Sequence, residues 1–118
     1  MIKMDAYQAT ARLRKQAAIA HRKQRWQQAQ EVAKQASDFL KQEYGNVEVI
    51  LFGSATERDQ FHLTSDIDLA VKGLPPEEFF KVVARLQDIS PEFKVDLVQL
   101  EYCQESLHRL ILEEGKPL

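Results

Sequence analysis

The stretch LFGSATERDQFHLTSDIDLAVKG, residues 51–73, decides the fold of this 118-residue chain. Its last part places Asp66 and Asp68 inside a run that otherwise predicts a buried strand. Side chains alternate between the two faces of a strand, so these two aspartates share one face. Carboxylates are depleted in strand interiors and costly to bury, and like charges so close repel each other. The pattern therefore predicts a bound cation, and oxygen ligands favour Mg²⁺ or Mn²⁺.

A second sign of chemistry lies near the start of the same stretch. The dipeptide Gly53-Ser54 directly follows a predicted strand over residues 47–52. Glycine lets the backbone approach a ligand closely, and free N–H groups at the start of a short helix after the serine attract phosphate. Alone, this dipeptide is more typical of an ordinary turn. A third aspartate, Asp96, interrupts another apolar run over 93–100, and the three motifs together predict a triphosphate beside two metal ions.

Propensity and periodicity predict a mixed α and β chain. Residues 5–44 contain neither Gly nor Pro and favour helix, as one helix or two, with a good apolar face only in the second half. Further elements are expected as a strand over 66–72, a helix after Pro76, and a last helix over 102–114 that carries Cys103 on one face. The middle helix is expected to bury four apolar residues: Phe79, Phe80, Val83 and Leu86. We expect an α+β fold with a small mixed sheet of three to four strands flanked by helices.

Charge is distributed unevenly along the chain. Residues 1–47 carry nine Lys or Arg against four Asp or Glu, whereas residues 48–118 carry seven against fourteen. A basic helix of this kind faces solvent or an acidic partner, and nucleic-acid contact is less favoured because stacking aromatics are sparse. The weak apolar face of the first half predicts that it projects from the body or packs on another chain. We therefore expect a basic helical extension over 1–25 and a single domain over 26–118.

Composition argues against several classes of protein. No segment approaches the ~20 apolar residues of a membrane span, and the N-terminus lacks the continuous apolar run of a signal peptide. Cys103 is the only cysteine, so neither a disulfide framework nor a thiolate metal site is expected. These features favour a soluble protein of the cytoplasm.

The order of the motifs resembles the polymerase β superfamily. A strand, the Gly-Ser dipeptide, a loop, the Asp-x-Asp pair and a third strand-borne aspartate follow one another over residues 26–112, and the size resembles the minimal nucleotidyltransferases of that superfamily. The resemblance implies a small mixed sheet flanked by helices. It also implies roles for single residues: phosphate binding by Gly53 and Ser54, and catalysis with two bound Mg²⁺ ions by Asp66, Asp68 and Asp96.

The loop after Ser54 departs from the pattern of the superfamily. Relatives usually continue with a small residue, a basic residue and a second glycine, whereas here residues 55–59 are ATERD. Arg58 is expected to offset the two acids of this loop and to contact the nucleotide. The departure also keeps open an alternative in which the chain has lost turnover and neutralises a partner by covering it.

Minimal nucleotidyltransferases of this type commonly pair with a small helical HEPN-type protein in toxin–antitoxin modules. The resemblance implies transfer of AMP from ATP to a tyrosine of such a partner, which silences its RNase activity. Transfer to an RNA end or to a small molecule also stays open, although only a helix and residues 116–118 follow the third strand, which leaves little room for an acceptor domain. The acceptor and the oligomeric state, including a homo-oligomer, stay open as well.

Overall fold

The computed structural model describes residues 2–118, with side chains from Ala6 onward. It begins with one continuous helix of 43 residues, which agrees with the lack of Gly and Pro over 5–44. The helices and strands are α1 (Ile2–Tyr44), β1 (Glu48–Phe52), β2 (Ile67–Lys72), α2 (Phe79–Gln87), β3 (Val95–Gln99), α3 (Glu105–Glu114) and β4 (Lys116–Pro117). Short 3-10 turns span Gly53–Thr56, Arg58–Gln60 and Pro76–Glu78.

The strands form one four-stranded mixed sheet in the order β3-β2-β1-β4. β1 is antiparallel to β2 and to β4, and β2 is parallel to β3. The α+β fold with a small mixed sheet flanked by helices is therefore confirmed. The position of the fourth strand was not predicted, because the two residues of β4 are too few to show any periodicity.

The two faces of the sheet are covered unequally. One face packs against α2 and the second half of α1, whose apolar residues recur at the predicted steps of three and four. The α1 residues buried in this layer are Ala29, Val32, Ala33, Ala36 and Leu40. The other face packs against α3 alone, through a smaller cluster of Phe52, Ala70, Leu100 and Ile111.

Two local expectations were wrong. Phe80 is 83% exposed, because it lies about 100° around α2 from Phe79 and off the stripe that buries Val82 and Leu86. The last helix begins at Glu105, since the chain first turns after β3, with Tyr102 N donating to Gln99 O at 3.1 Å. Cys103 lies half-buried in this turn and not on α3.

The first half of α1 projects from the body. Every side chain over residues 6–24 is exposed, and Arg25 is the first to pack, with its guanidinium 4.3 Å from the centre of the Phe93 ring. The molecule is accordingly 67 Å long and only 18 Å in its shortest dimension. The division into residues 1–25 and 26–118 stays a prediction, because α1 crosses that boundary without a break. Within residues 2–118, no helix combines the length and apolar character needed to cross a membrane.

Candidate active site

The Gly-Ser dipeptide lies where β1 meets its neighbour β2. Phe52, the last residue of β1, pairs with Asp68 in the antiparallel register, and Gly53 follows with a φ of 75°. This left-handed conformation disfavours side chains, and a Cβ at residue 53 would also overlap Oδ2 of Asp68. Glycine is required here for both reasons, so the turn lies directly against the Asp68 carboxylate.

The strand register brings the aspartates together. Asp68 and Asp96 are Cα partners in the parallel pairing of β2 with β3, and Asp66 comes one residue before β2 begins. The pKa of Asp68 is raised to about 6, chiefly by burial, then by repulsion from Asp96 and from Asp66, while Lys94 opposes the shift. Asp66 and Asp96 therefore lie close enough to Asp68 to disfavour its charge. We call Asp66, Asp68 and Asp96 the carboxylate triad.

The triad is partly open to solvent. Within β2, Ile67 and Leu69 face α1 and α2, so Asp68 faces the other side of the sheet with Ala70. All three carboxylate residues are only half-buried, and the Asp96 side chain is 42% exposed. A substrate can therefore reach them on the face that α3 covers incompletely.

The donor chemistry of the triad suits a hard divalent cation such as Mg²⁺. All its ligand atoms are carboxylate oxygens, and a cation between them would relieve the repulsion that raises the pKa of Asp68. As they stand, however, no three His, Cys, Asp or Glu side chains of the described residues converge on a point where an ion could be held. Asp96 instead pairs with Lys94, whose Nζ lies 3.6 Å from Oδ1. Binding a metal ion therefore requires these carboxylates to rotate and a cation to compete with Lys94.

The 3-10 turn after β1 is held in place by α1. Trp26 Nε1 and Gln30 Nε2 both donate to Ala55 O, at 2.9 and 2.7 Å. Inside the turn, Thr56 Oγ1 donates to Gly53 O at 2.8 Å. The position of Gly53 and its serine therefore depends on side chains of α1. Trp26 also packs against the core, and only the need of its indole N–H for a hydrogen-bond partner could have indicated this contact from the sequence.

A cleft of about 530 Å³ opens beside the Gly-Ser dipeptide. Its walls come from the end of β1, the loop after it, α3 and β4: Phe52, Gly53, Ser54, Thr56, Glu57, Gln60, Leu110, Glu114 and Lys116. The cleft adjoins the triad at Gly53, which contacts Asp68. Lys116 was not among the predicted site residues, because no motif marks a lysine in a two-residue strand.

Arg58 lies outside this cleft. Its side chain is 54% exposed, with Nε 4.0 Å from Asp59 Oδ1. It lines a separate groove together with Ile19, Arg22 and Lys23 of the projecting part of α1. The structure therefore groups Arg58 with the basic extension and not with the Gly-Ser dipeptide, and its contact with a nucleotide stays a prediction.

A glycine turn that meets a strand-borne aspartate pair on a small mixed sheet defines the class of nucleotidyltransferases. The comparison with protein families agrees, because residues 34–118 match the model of the family Polymerase beta, Nucleotidyltransferase. The chain belongs to this family. The match includes the Gly-Ser dipeptide and the whole triad, and the predicted membership of the polymerase β superfamily is confirmed.

Several solved structures share the fold. A toxin–antitoxin complex with AMP-PNP has a TM-score of 0.58 and 25% identity, covering 70% of this chain and 69% of that one. An MNT antitoxin complex with a tri-AMPylated HEPN toxin of Shewanella oneidensis has a TM-score of 0.57 and 22% identity, covering 75% and 70%. A minimal nucleotidyltransferase has a TM-score of 0.61 and 22% identity, covering 79% and 95%. No curated protein sequence matches the chain.

Proposed function

We propose that this chain transfers AMP from ATP to a hydroxyl group of a HEPN-type protein and thereby acts as an antitoxin. The observation that carries the proposal is the register of three adjacent strands, which aligns Phe52 with Asp68 and Asp68 with Asp96. This register sets the turn at Gly53, to which we assign phosphate binding, directly beside the paired carboxylates. A cytoplasmic location is part of the proposal, since ATP is the substrate.

The proposed reaction assigns a task to each group. The acceptor oxygen attacks the α-phosphorus of ATP, the bond from that phosphorus to the bridging oxygen breaks, and pyrophosphate leaves, while a carboxylate takes the hydroxyl proton. Backbone N–H groups at Gly53 and Ser54 hold the phosphates. The triad would hold Mg²⁺, which when bound stabilises the charge that develops on the attacking and leaving oxygens. Asp96 pairs with Lys94, and its side chain is partly exposed. An incoming acceptor can therefore reach this carboxylate.

Two similar structures support the choice of nucleotide and partner. One is a toxin–antitoxin complex that contains AMP-PNP, a nucleotide with an adenosine and three phosphates. The other contains a HEPN toxin that carries AMP groups. Both descriptions belong to those proteins, and we extend them to this chain because the fold is shared and this chain belongs to a nucleotidyltransferase family.

A binding module without turnover is the second candidate function. Two observations favour it: Arg58 lies away from the Gly-Ser dipeptide, and the carboxylates do not converge. Such a protein would neutralise its partner by covering it. Turnover remains our first proposal, because covering a partner gives no reason to keep three half-buried aspartates close together.

The deciding experiment follows the partner by mass spectrometry. The protein is incubated with ATP, Mg²⁺ and a HEPN-type protein from the same genome, and added AMP is expected on the partner. Asp68→Asn should eliminate the modification, because the charge that stabilises the transition state is lost. Asp88→Asn, a matched change at an exposed residue at the end of α2, should leave it unchanged.

Other outcomes separate the alternatives. An unmodified partner that the Asp68→Asn variant still neutralises would establish the binding module in place of the enzyme. AMP found on RNA or on a small molecule, and not on the partner, would keep the chemistry and replace the acceptor.

A further inference from the structure

The cleft beside the Gly-Ser dipeptide is poor in positive charge. Of the described residues that line it, Lys116 is the one cation, whereas Glu57 and Glu114 contribute two carboxylates. A triphosphate entering the cleft would meet these acids at short range, which weakens binding unless a cation offsets them. Arg58, the basic residue that follows the serine in the chain, does not line this cleft but the groove beside α1.

Lys116 is positioned by the sheet and not by a flexible loop. It lies in β4 and is the antiparallel partner of Leu51 in β1. Leu51 comes two residues before Gly53. Lys116 Nζ donates a hydrogen bond to Thr56 O in the turn that begins at Gly53. The ammonium group therefore already lies at the turn proposed to hold the phosphates, and a bound phosphate could replace the carbonyl as its partner.

We propose that Lys116 is the cation that binds the phosphates of the nucleotide in this cleft, in place of Arg58. The inference rests on the proposed function and adds the residue that provides the phosphate charge. Lys116 is a substrate-binding residue, since the triad carries the chemistry. A charge-assisted hydrogen bond from an ammonium to a phosphate is among the stronger polar contacts, so its loss should be large enough to measure.

A purely structural role for Lys116 has a different signature. If the lysine only ties the turn to β4, its removal should weaken the binding of every ligand of the cleft alike. If it binds phosphates, the loss should grow with the number of phosphates on the ligand. Titration calorimetry in Mg²⁺ with ATP, AMP and adenosine distinguishes the two.

The expected pattern is specific. Lys116→Met should weaken ATP binding about tenfold, AMP binding less, and adenosine binding little or not at all. Lys116→Arg should retain most of the ATP affinity because it keeps the charge. Lys41→Met is the matched control: Lys41 Nζ donates to Leu118 O, so it also ties down the segment after α3, but it lies outside the cleft. This control should bind all three ligands as the unaltered chain does.

Several results would overturn the inference. Equal losses for ATP and adenosine would make Lys116 a structural tie, and unchanged ATP binding in Lys116→Met would remove it from the site. A phosphate-dependent loss in Arg58→Met, with none in Lys116→Met, would return the role to Arg58. If the unaltered chain binds no ATP at all, the proposed function fails and the inference fails with it, whereas the other results leave the proposed function standing.

Discussion

Asp68 is the residue on which the candidate site depends. It pairs with Phe52 on one side and with Asp96 on the other, and its carboxylate fills the space that a side chain at residue 53 would need. Burial and two like charges raise its pKa to about 6. Such a residue costs the folded state free energy whenever it is ionised, and a bound cation would offset that cost.

A pH series in EDTA should reveal this cost. The pKa of Asp68 rises from 3.8 to about 6 on folding, so the folded state binds a proton that the unfolded state has released. The contribution of this bound proton to the free energy of unfolding is complete below pH ~4 and is lost as the pH rises through about 6. Asp68→Asn, which has no charge to bury, should therefore gain in melting temperature relative to the unaltered chain between pH 5 and pH 8.

Magnesium provides the control for this prediction. At pH 8, Mg²⁺ should raise the melting temperature of the unaltered chain, because a ligand that binds only the folded state stabilises it. The double variant Asp66→Asn with Asp68→Asn should lose that shift. Equal shifts in both proteins would show that the triad is not the Mg²⁺ site.

Among the secondary-structure elements, β3 pairs with a strand on one side, whereas β1 and β2 pair with strands on both sides. It carries Asp96 and lies at the edge of the sheet, so one side of its backbone lacks a strand partner. The side chain of Gln87, at the end of α2, substitutes for that partner: Nε2 donates to Val95 O, and Oε1 accepts from Val95 N at 3.3 Å. This pairing also covers an edge that could otherwise recruit another strand.

Gln87→Ala tests the contribution of this pairing. The change leaves two backbone groups of Val95 without their partner, so the free energy of unfolding should fall by about 1–3 kcal/mol, measured by urea denaturation. Gln42→Ala, at an exposed position of α1, should change it by less than about 0.5 kcal/mol. Similar losses in both variants would mean that the Gln87 amide does not support β3.

At the scale of the whole molecule, one helix belongs to two environments. The second half of α1 supplies an apolar layer of the core and holds the turn after β1 through Trp26 and Gln30. The first half, residues 6–24, has only exposed side chains, including Tyr7, Leu13 and Ile19. The body should therefore fold without the first half and depend on the second.

Truncation tests this division of α1. A variant lacking residues 1–24 should keep its cooperative unfolding, with a melting temperature within about 4 °C of the full chain, because the side chains described over residues 6–24 are all exposed. A variant lacking residues 1–36 also loses Ala29, Val32, Ala33 and Ala36, and it should fail to unfold cooperatively. A large loss of stability in the shorter truncation would contradict the prediction.

The sequence alone determined the features that depend on local chemistry. Helix propensity without Gly or Pro predicted α1, and the spacing of Asp66 and Asp68 predicted two carboxylates close enough to repel each other. Both rules relate a residue to its near neighbours in the chain. The same kind of local argument was wrong for Phe80, because being apolar does not ensure a place on the buried stripe of a helix.

The tertiary structure decided every feature that depends on which distant segments meet. The parallel register of β2 and β3 sets Asp96 beside Asp68, and β4 pairs with β1 and so brings Lys116 to the turn, although 60 residues separate it from Thr56. Arg58 lies near the motif in sequence but faces α1 in space. Strand order and register arise from packing the whole chain around one core, so no local pattern could have shown that Lys116 lies at this turn and that Arg58 faces α1.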